Sequence, residues 1–325
     1  MNKIIIFSHE SDIDGLGSII LGKLAFQKFD YELFPNPEKL QLKIREYITN
    51  NKLDNYDKIF ITDLSLCDPS LTLIANSKLK DKVLVFDHHI QAIIDNLNRY
   101  SFTKIIEKEN NIKTCGTELF YKYLLDNKLI KKKKIIDTFV EYTRLEDTWE
   151  WKQNNKKAHD LAILFNSIGI EKYINTITNK LLNNYRFSYN QEERKIINNK
   201  KKEYNQIINK YIKDTEYFYD EFNNKYGIVY ANYEYRNEIA EYFKNNNKKE
   251  IKYFIIVALN KGDYGQKSYR SIEDNFDVNY IASIHGGGGH PSAAAVNINK
   301  EQKEYALSLN IKEGLKYLAE AKYNE

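Results

Sequence analysis

Three short apolar runs in this chain each lead into acidic or imidazole side chains. Ile4-Ile5-Ile6-Phe7 runs into Ser8-His9, then Asp12 and Asp14. Ile59-Phe60-Ile61-Thr62 ends in Asp63, and Val83-Leu84-Val85-Phe86 ends in Asp87-His88-His89. Segments with apolar residues at helical spacing separate them, such as Leu16, Ile19, Ile20 and Leu24, or Leu40, Ile44 and Tyr47. This pattern predicts buried parallel strands joined by crossover helices, with further strands at 31–34 and 102–108. In such sheets ligands gather beyond the carboxyl ends of the strands. Three strands would therefore deliver Asp and His to one edge of one sheet.

At 325 residues the chain is long for a single core. From about 114 to 215 the spacing turns helical, through "TELFYKYLL", "KKIIDTFVEYTRL" and a long polar stretch from Gln191 to Phe218 that reads as one connecting helix. Strand-like runs resume at 226–232, 251–260, 266–272 and 292–298. The predicted organisation is α/β throughout: a catalytic domain over 1–150, a helical connector over 151–220 and a smaller substrate-binding α/β domain over 221–325. No apolar run approaches the roughly 20 residues that span a bilayer, so no membrane partner is expected. The run at 4–7 is too short for a signal peptide. Two cysteines, Cys67 and Cys115, show no pairing pattern, which predicts a reducing, cytoplasmic setting. A net charge of +4 permits an anionic substrate without indicating a nucleic-acid coat. The lysine runs at 131–134 and 200–202 read as solvated helix faces.

An isolated Asp at a strand end is usually a helix N-cap or turn residue, and an isolated His a satisfied core residue. Convergence changes that reading, because several unpaired charges brought together would each cost several kcal/mol. Cations remove that cost. The charge on Asp12, Asp14, Asp63 and Asp147 matches two divalent cations. A calcium loop fits poorly, since Gly15 comes too early after Asp12 and no Glu closes the loop; cysteine spacing for structural zinc is absent. Imidazoles mixed with carboxylates suit manganese, with cobalt or zinc able to substitute.

The segment "HGGGGHPSAAA" at 285–295 is no Walker loop, lacking Gly-Lys-Ser/Thr, and no dinucleotide turn, since a strand follows. Gly287, Gly288 and Gly289 would let backbone N–H groups approach a phosphate, with His290 and the guanidinium of Arg270 holding the substrate. Ala293, Ala294 and Ala295 read as a tightly packed strand.

"HESDIDGLGS", "TDLS", "DHH", "EDTWEW" and "GGGGHPSAAA", in that order, resemble the DHH phosphoesterase superfamily. The similarity is greatest to the branch with a DHH-associated C-terminal domain and its bacterial oligoribonucleases (nano-RNases). The resemblance implies that His9, Asp12 and Asp63 hold one metal, and that Asp14, Asp63, His88 and Asp147 hold a second, with Asp63 bridging. It also implies that His89 faces the substrate phosphate and Asp87 orients a histidine. Two residues separate His9 from Asp12, where many relatives have one or three.

The expected activity is hydrolysis of short single-stranded oligoribonucleotides or dinucleotides to mononucleotides by a water activated between two metals, with Asp63, Asp87 and His89 in the chemistry. Substrates of roughly two to five nucleotides fit a chain without a long aromatic-studded basic channel. Two other readings stay open: the resemblance also implies hydrolysis of cyclic dinucleotides or of adenosine 3′,5′-bisphosphate as an alternative, and a silent nucleotide-binding module is the other. Whether the chain forms a homodimer is also open.

Overall fold

The computed structural model describes residues 3–247, 249–259 and 265–323, and divides into two compact units, Met1–Lys200 and Lys201–Glu325. In the first unit β1 (Ile4–His9), β2 (Asp30–Phe34), β3 (Lys58–Thr62), β4 (Val83–Asp87) and β5 (Thr103–Ile105) form a wholly parallel sheet in the order β2-β1-β3-β4-β5. The crossovers carry α1 (Ile13–Ala25), α2 (Pro37–Thr49), α3 (Asp68–Ala75) and α4 (Ile90–Ile94). A small hairpin, β6 (Lys108–Glu109) with β7 (Ile112–Lys113), precedes five helices. These are α5 (Gly116–Asp126), α6 (Lys134–Asp147), α7 (Trp151–Asn154), α8 (Lys156–Ile168) and α9 (Ile170–Asn183).

The strands are apolar on both faces because both are covered. Ile5, Phe7, Ile59, Ile61, Val83 and Val85 pack with Leu40 and Ile44 of α2 and Leu71 and Ile74 of α3. On the other face Phe60 and Phe86 meet Phe120 and Tyr123 of α5, while Phe26 stacks on Phe60. Each such side chain contributes roughly 1.5–3 kcal/mol on burial. In this strand order the chain reverses direction of travel at β1 and β3, so a crevice opens between their carboxyl ends.

The expected connector over 151–220 is not a separate body. Helices α8 and α9 belong to the first unit, where Ala158, Leu161, Leu164, Tyr173, Ile174 and Ile177 are buried. The long helix α10 (Gln191–Lys213) begins in the first unit and ends in the second. It stops short of the predicted end because Glu216–Tyr219 forms β8. The consecutive aromatics Tyr217-Phe218-Tyr219 favour a strand over another helical turn.

The second unit is a six-stranded mixed sheet in the order β12-β13-β11-β10-β9-β8, built from β8, β9 (Lys225–Tyr230), β10 (Tyr253–Ala258), β11 (Gly265–Ser271), β12 (Gly288–His290) and β13 (Ala293–Ile298). Only the β9–β10 pair is parallel. Helix α11 (Arg236–Asn245) joins that pair, and α12 (Val278–Ile284), α13 (Lys300–Ser308) and α14 (Ile311–Glu320) complete the unit. Asn260, at the end of one predicted strand, lies outside the described residues. No described helix is long and apolar enough to cross a membrane.

Lys267, on β11, is 1% exposed and donates to the carbonyls of Leu318 (2.8 Å) and Ala321 (2.6 Å) at the end of α14. Burial pushes its pKa down to about 7, and a neutral amine still supplies both hydrogens. The unfolded chain then binds the extra proton between about pH 7 and the ordinary lysine value, so stability contributed at this site rises with pH across that window. Urea midpoints of wild type and Lys267→Met should diverge in favour of wild type from pH 7 to pH 10. A constant difference would mean that Lys267 is charged in the folded state.

Candidate metal centre

The crevice beyond β1 and β3 collects every metal-ligating residue expected from the sequence. β1 ends at His9, and Asp12 caps α1, its Oδ1 accepting from the N–H groups of Asp14 (3.1 Å) and Gly15 (3.0 Å). The capping role and the site role coexist, because the other oxygen of Asp12 accepts from Nδ1 of His9 at 2.7 Å. Asp63 follows β3 with φ of 58°, in the left-handed region, where its N–H donates to the Phe86 carbonyl at 2.9 Å. Such backbone strain is tolerated by Asp and clusters at functional positions. Asp147 is the last residue of α6.

The two oxygens of Asp63 face different imidazoles. Oδ2 is 3.5 Å from Nδ1 of His9, and Oδ1 is 3.4 Å from Nε2 of His88. The same His88 nitrogen is 3.5 Å from Oδ2 of Asp147 and 3.7 Å from Oδ2 of Asp14. Oδ2 of Asp63, Nε2 of His88 and Oδ2 of Asp147 are buried without a hydrogen-bond partner. Buried acceptors left unpaired cost a few kcal/mol each. Three sets lie close enough to hold a cation: Asp63, Asp87, His88 and His89, in which Asp87 is already committed to hydrogen bonds, and two more, His9, Asp12 and Asp63, and Asp14, His88 and Asp147. A divalent ion in each of the latter two would satisfy those orphaned atoms.

The electrostatics describe the same strain. Burial, then the charges of Asp12 and Asp14, raise the Asp63 carboxyl well above its ordinary range. Burial and Asp14 do the same to Asp147. Burial alone would lower the pKa of His9, but the hydrogen bond to Asp12 and the nearby carboxylate of Asp63 outweigh it and raise it to about 11. At neutral pH a proton on His9 therefore does part of a cation's work.

Asp87 is buried and belongs to the supporting framework. It accepts from the N–H of His88 (2.8 Å), from Nδ1 of His89 (2.7 Å) and from the Ser65 hydroxyl. This fixes the His89 tautomer and leaves Nε2 available, on a side chain 56% exposed. Burial works to lower the His89 pKa, but the Asp87 hydrogen bond and charge raise it.

Residues that sequence reasoning missed hold the centre from behind. Asp14 accepts from the N–H groups of Gly116 (2.7 Å) and Thr117 (2.8 Å) at the start of α5. A Cβ at Gly116 would meet the backbone N of Asp63 at 2.9 Å. Gly116→Ala should therefore push α5 off Asp63 and weaken manganese binding at least tenfold by titration calorimetry, with far-ultraviolet dichroism unchanged. The only sequence signal was "TCGTELF", a helix start opening on a glycine.

In the second unit the register aligns Arg270 (β11), Ala293 (β13) and His290 (β12) as successive neighbours on one face. Ala294 points the other way into the core, so the expected tightly packed run is packed only at its centre. The glycines form the edge strand β12 as well as a turn. At Gly287 a Cβ would meet the Ala295 carbonyl oxygen at 2.1 Å, so close strand pairing accounts for that glycine. Gly288 and Gly289 pair with Ala295 and Ala294.

Residues 3–143 match the DHH family, N-terminal domain. The chain is 28% identical over 310 residues to oligoribonuclease NrnB of Bacillus subtilis (strain 168), covering 92% of this chain and 74% of that protein. Among solved structures it resembles the pGpG-specific phosphodiesterase PggH of Vibrio cholerae (TM-score 0.55, 13% identity, 97% of this chain and 99% of that one). It also resembles the exonuclease RecJ bound to manganese (TM-score 0.55, 14% identity, 98% of this chain and 90% of that one).

Proposed function

We propose that this chain, whose N-terminal unit carries a DHH-family domain, is a phosphoric-ester hydrolase that cuts short single-stranded oligoribonucleotides to mononucleotides at a two-metal centre. One observation carries the reading: Asp63 presents one oxygen to each of two imidazole–carboxylate sets whose buried atoms lack partners. The similarity to an oligoribonuclease over most of the chain supports the substrate class.

His9, Asp12 and Asp63 would hold one cation, and Asp14, Asp63, His88 and Asp147 the other. Manganese best suits this mixed donor set, and a relative binds it. Such ions supply Lewis acidity and a water of lowered pKa. The chain's own residues do the rest. His89, held by Asp87 and carrying a raised pKa, donates from Nε2 to a phosphate oxygen of the scissile group. Ser65 keeps Asp87 in place, so the imidazole does not swing away. Arg270 and His290 bind the rest of the substrate.

The test is parallel hydrolysis of a dinucleotide, a 24-mer RNA, cyclic di-AMP and adenosine 3′,5′-bisphosphate by the manganese-loaded chain. The dinucleotide should be cleaved fastest. Preference for the cyclic compound or the bisphosphate would replace this reading, and binding without cleavage of any would point to a silent module.

Arg270→Ala removes a charge-assisted contact worth roughly 1.5–3 kcal/mol, so KM for a dinucleotide should rise about 10- to 100-fold. Cleavage of bis-p-nitrophenyl phosphate and metal content should hold. Equal losses on both substrates would place Arg270 in the chemistry.

A further inference from the structure

Arg236 opens α11 and lies beside Arg270, and nothing in the proposed reaction yet uses it. The guanidinium of Arg270 reaches Oδ1 of Asn237, the next residue after Arg236, at 3.3 Å, and donates to its neighbouring Tyr269 carbonyl at 2.9 Å. The Arg236 guanidinium sits over the Tyr233 ring, 3.9 Å from the centroid, and donates one N–H to the Tyr233 carbonyl at 2.9 Å. The ring holds the guanidinium in place, and among the described residues no further hydrogen bond engages its remaining N–H groups. Among the described residues the partners of the two guanidiniums are a ring, two carbonyls and an amide oxygen, and no carboxylate. Burial, followed by the charge of Arg236, lowers the Arg270 pKa to about 10, so the two cations sense each other. Tyr235, just before α11, supplies no side-chain cap, so the positive end of the helix adds to the same local field.

Among the described residues, these two half-buried like charges held side by side have no partner of opposite charge. A bridging phosphodiester brings one negative charge, whereas a terminal phosphomonoester brings nearly two and three acceptor oxygens. Arg236 adds the second fork that such a group requires.

We infer that Arg236 and Arg270 together form a clamp for a terminal phosphomonoester, which makes phosphate-ended short oligonucleotides the preferred substrates. This rests on the proposed function for its substrate class, but the binding test below stands without turnover.

The full-length chain, with chelator present, is titrated calorimetrically with three dinucleotides: one 5′-phosphorylated, one 3′-phosphorylated and one with neither. One phosphorylated form should bind at least tenfold tighter than the unphosphorylated one, and which form does so identifies the end recognised. Arg236→Ala should remove that advantage while changing affinity for the unphosphorylated dinucleotide less than twofold; Arg236→Lys should retain part of it. Equal affinities for all three in wild type, or an undiminished advantage in Arg236→Ala, would overturn the clamp. The same ligands with manganese separate the two readings: phosphate-dependent binding without hydrolysis would count against the oligoribonuclease alone, and hydrolysis without phosphate preference against the clamp alone.

Discussion

Asp63→Asn is expected to lower dinucleotide hydrolysis roughly a thousandfold, equivalent to about 4 kcal/mol of transition-state stabilisation. Among the described residues it is the one carboxylate whose two oxygens face both His9 and His88. Its loss therefore disturbs both candidate cation sites, whereas Asp12→Asn or Asp147→Asn disturbs one. Folding should survive. Burial beside Asp12 and Asp14 already disfavours the ionised form, so removing that charge relieves repulsion in the metal-free chain. Asparagine also tolerates the left-handed backbone at this position, which alanine would hold only at a cost of about 1–2 kcal/mol. Asp63→Ala should thus lose activity equally and melt earlier than Asp63→Asn. A variant keeping more than about a tenth of the wild-type rate would show that Asp63 does not join the two sites.

Stripping divalent metal should abolish hydrolysis, and manganese should restore it while stabilising the first unit. At a free concentration a hundred times the dissociation constant, one site adds about 2.7 kcal/mol, a rise of roughly 5–10 °C in melting temperature for a unit of this size. The gain should depend on pH. His9, raised to about 11 by Asp12 and Asp63, holds a proton in the metal-free chain at neutral pH, and a cation in its set must displace it. Apparent manganese affinity therefore rises with pH from 6 to 9. Full activity after exhaustive chelation, with no metal found by elemental analysis, would refute a metal-dependent reaction.

The centre was readable in the sequence because its parts sit at strand ends. A run such as Val83-Leu84-Val85-Phe86 fixes a buried parallel strand, and whatever follows it must emerge at the sheet's carboxyl edge. Thus His9, Asp12, Asp63 and His88 were placeable without coordinates. The groups behind them were not, since Gly116 and Thr117 act through backbone N–H groups, which carry no side-chain signature. Ser65 likewise carries no signature in the sequence; its part rests on the hydrogen bond from its hydroxyl to Asp87. The unit boundary was missed for a different reason. Burial of α8 and α9 in the first unit is a tertiary fact, and their amphipathic pattern suits a free connector equally well. In "HGGGGHPSAAA" the glycines suggested a phosphate nest, but strand pairing accounts for Gly287, and only the register of β11, β13 and β12 sets His290 in line with Arg270.

The most direct measurement is the product spectrum from a 5′-labelled five-nucleotide RNA mixed with the metal-stripped chain, before and after manganese is added. No cleavage before addition, and conversion to mononucleotides afterwards at a rate far above that for a 24-mer, is the predicted result. Cleavage that ignores the metal, or no mononucleotide with manganese bound at both sites, would contradict the two-metal oligoribonuclease.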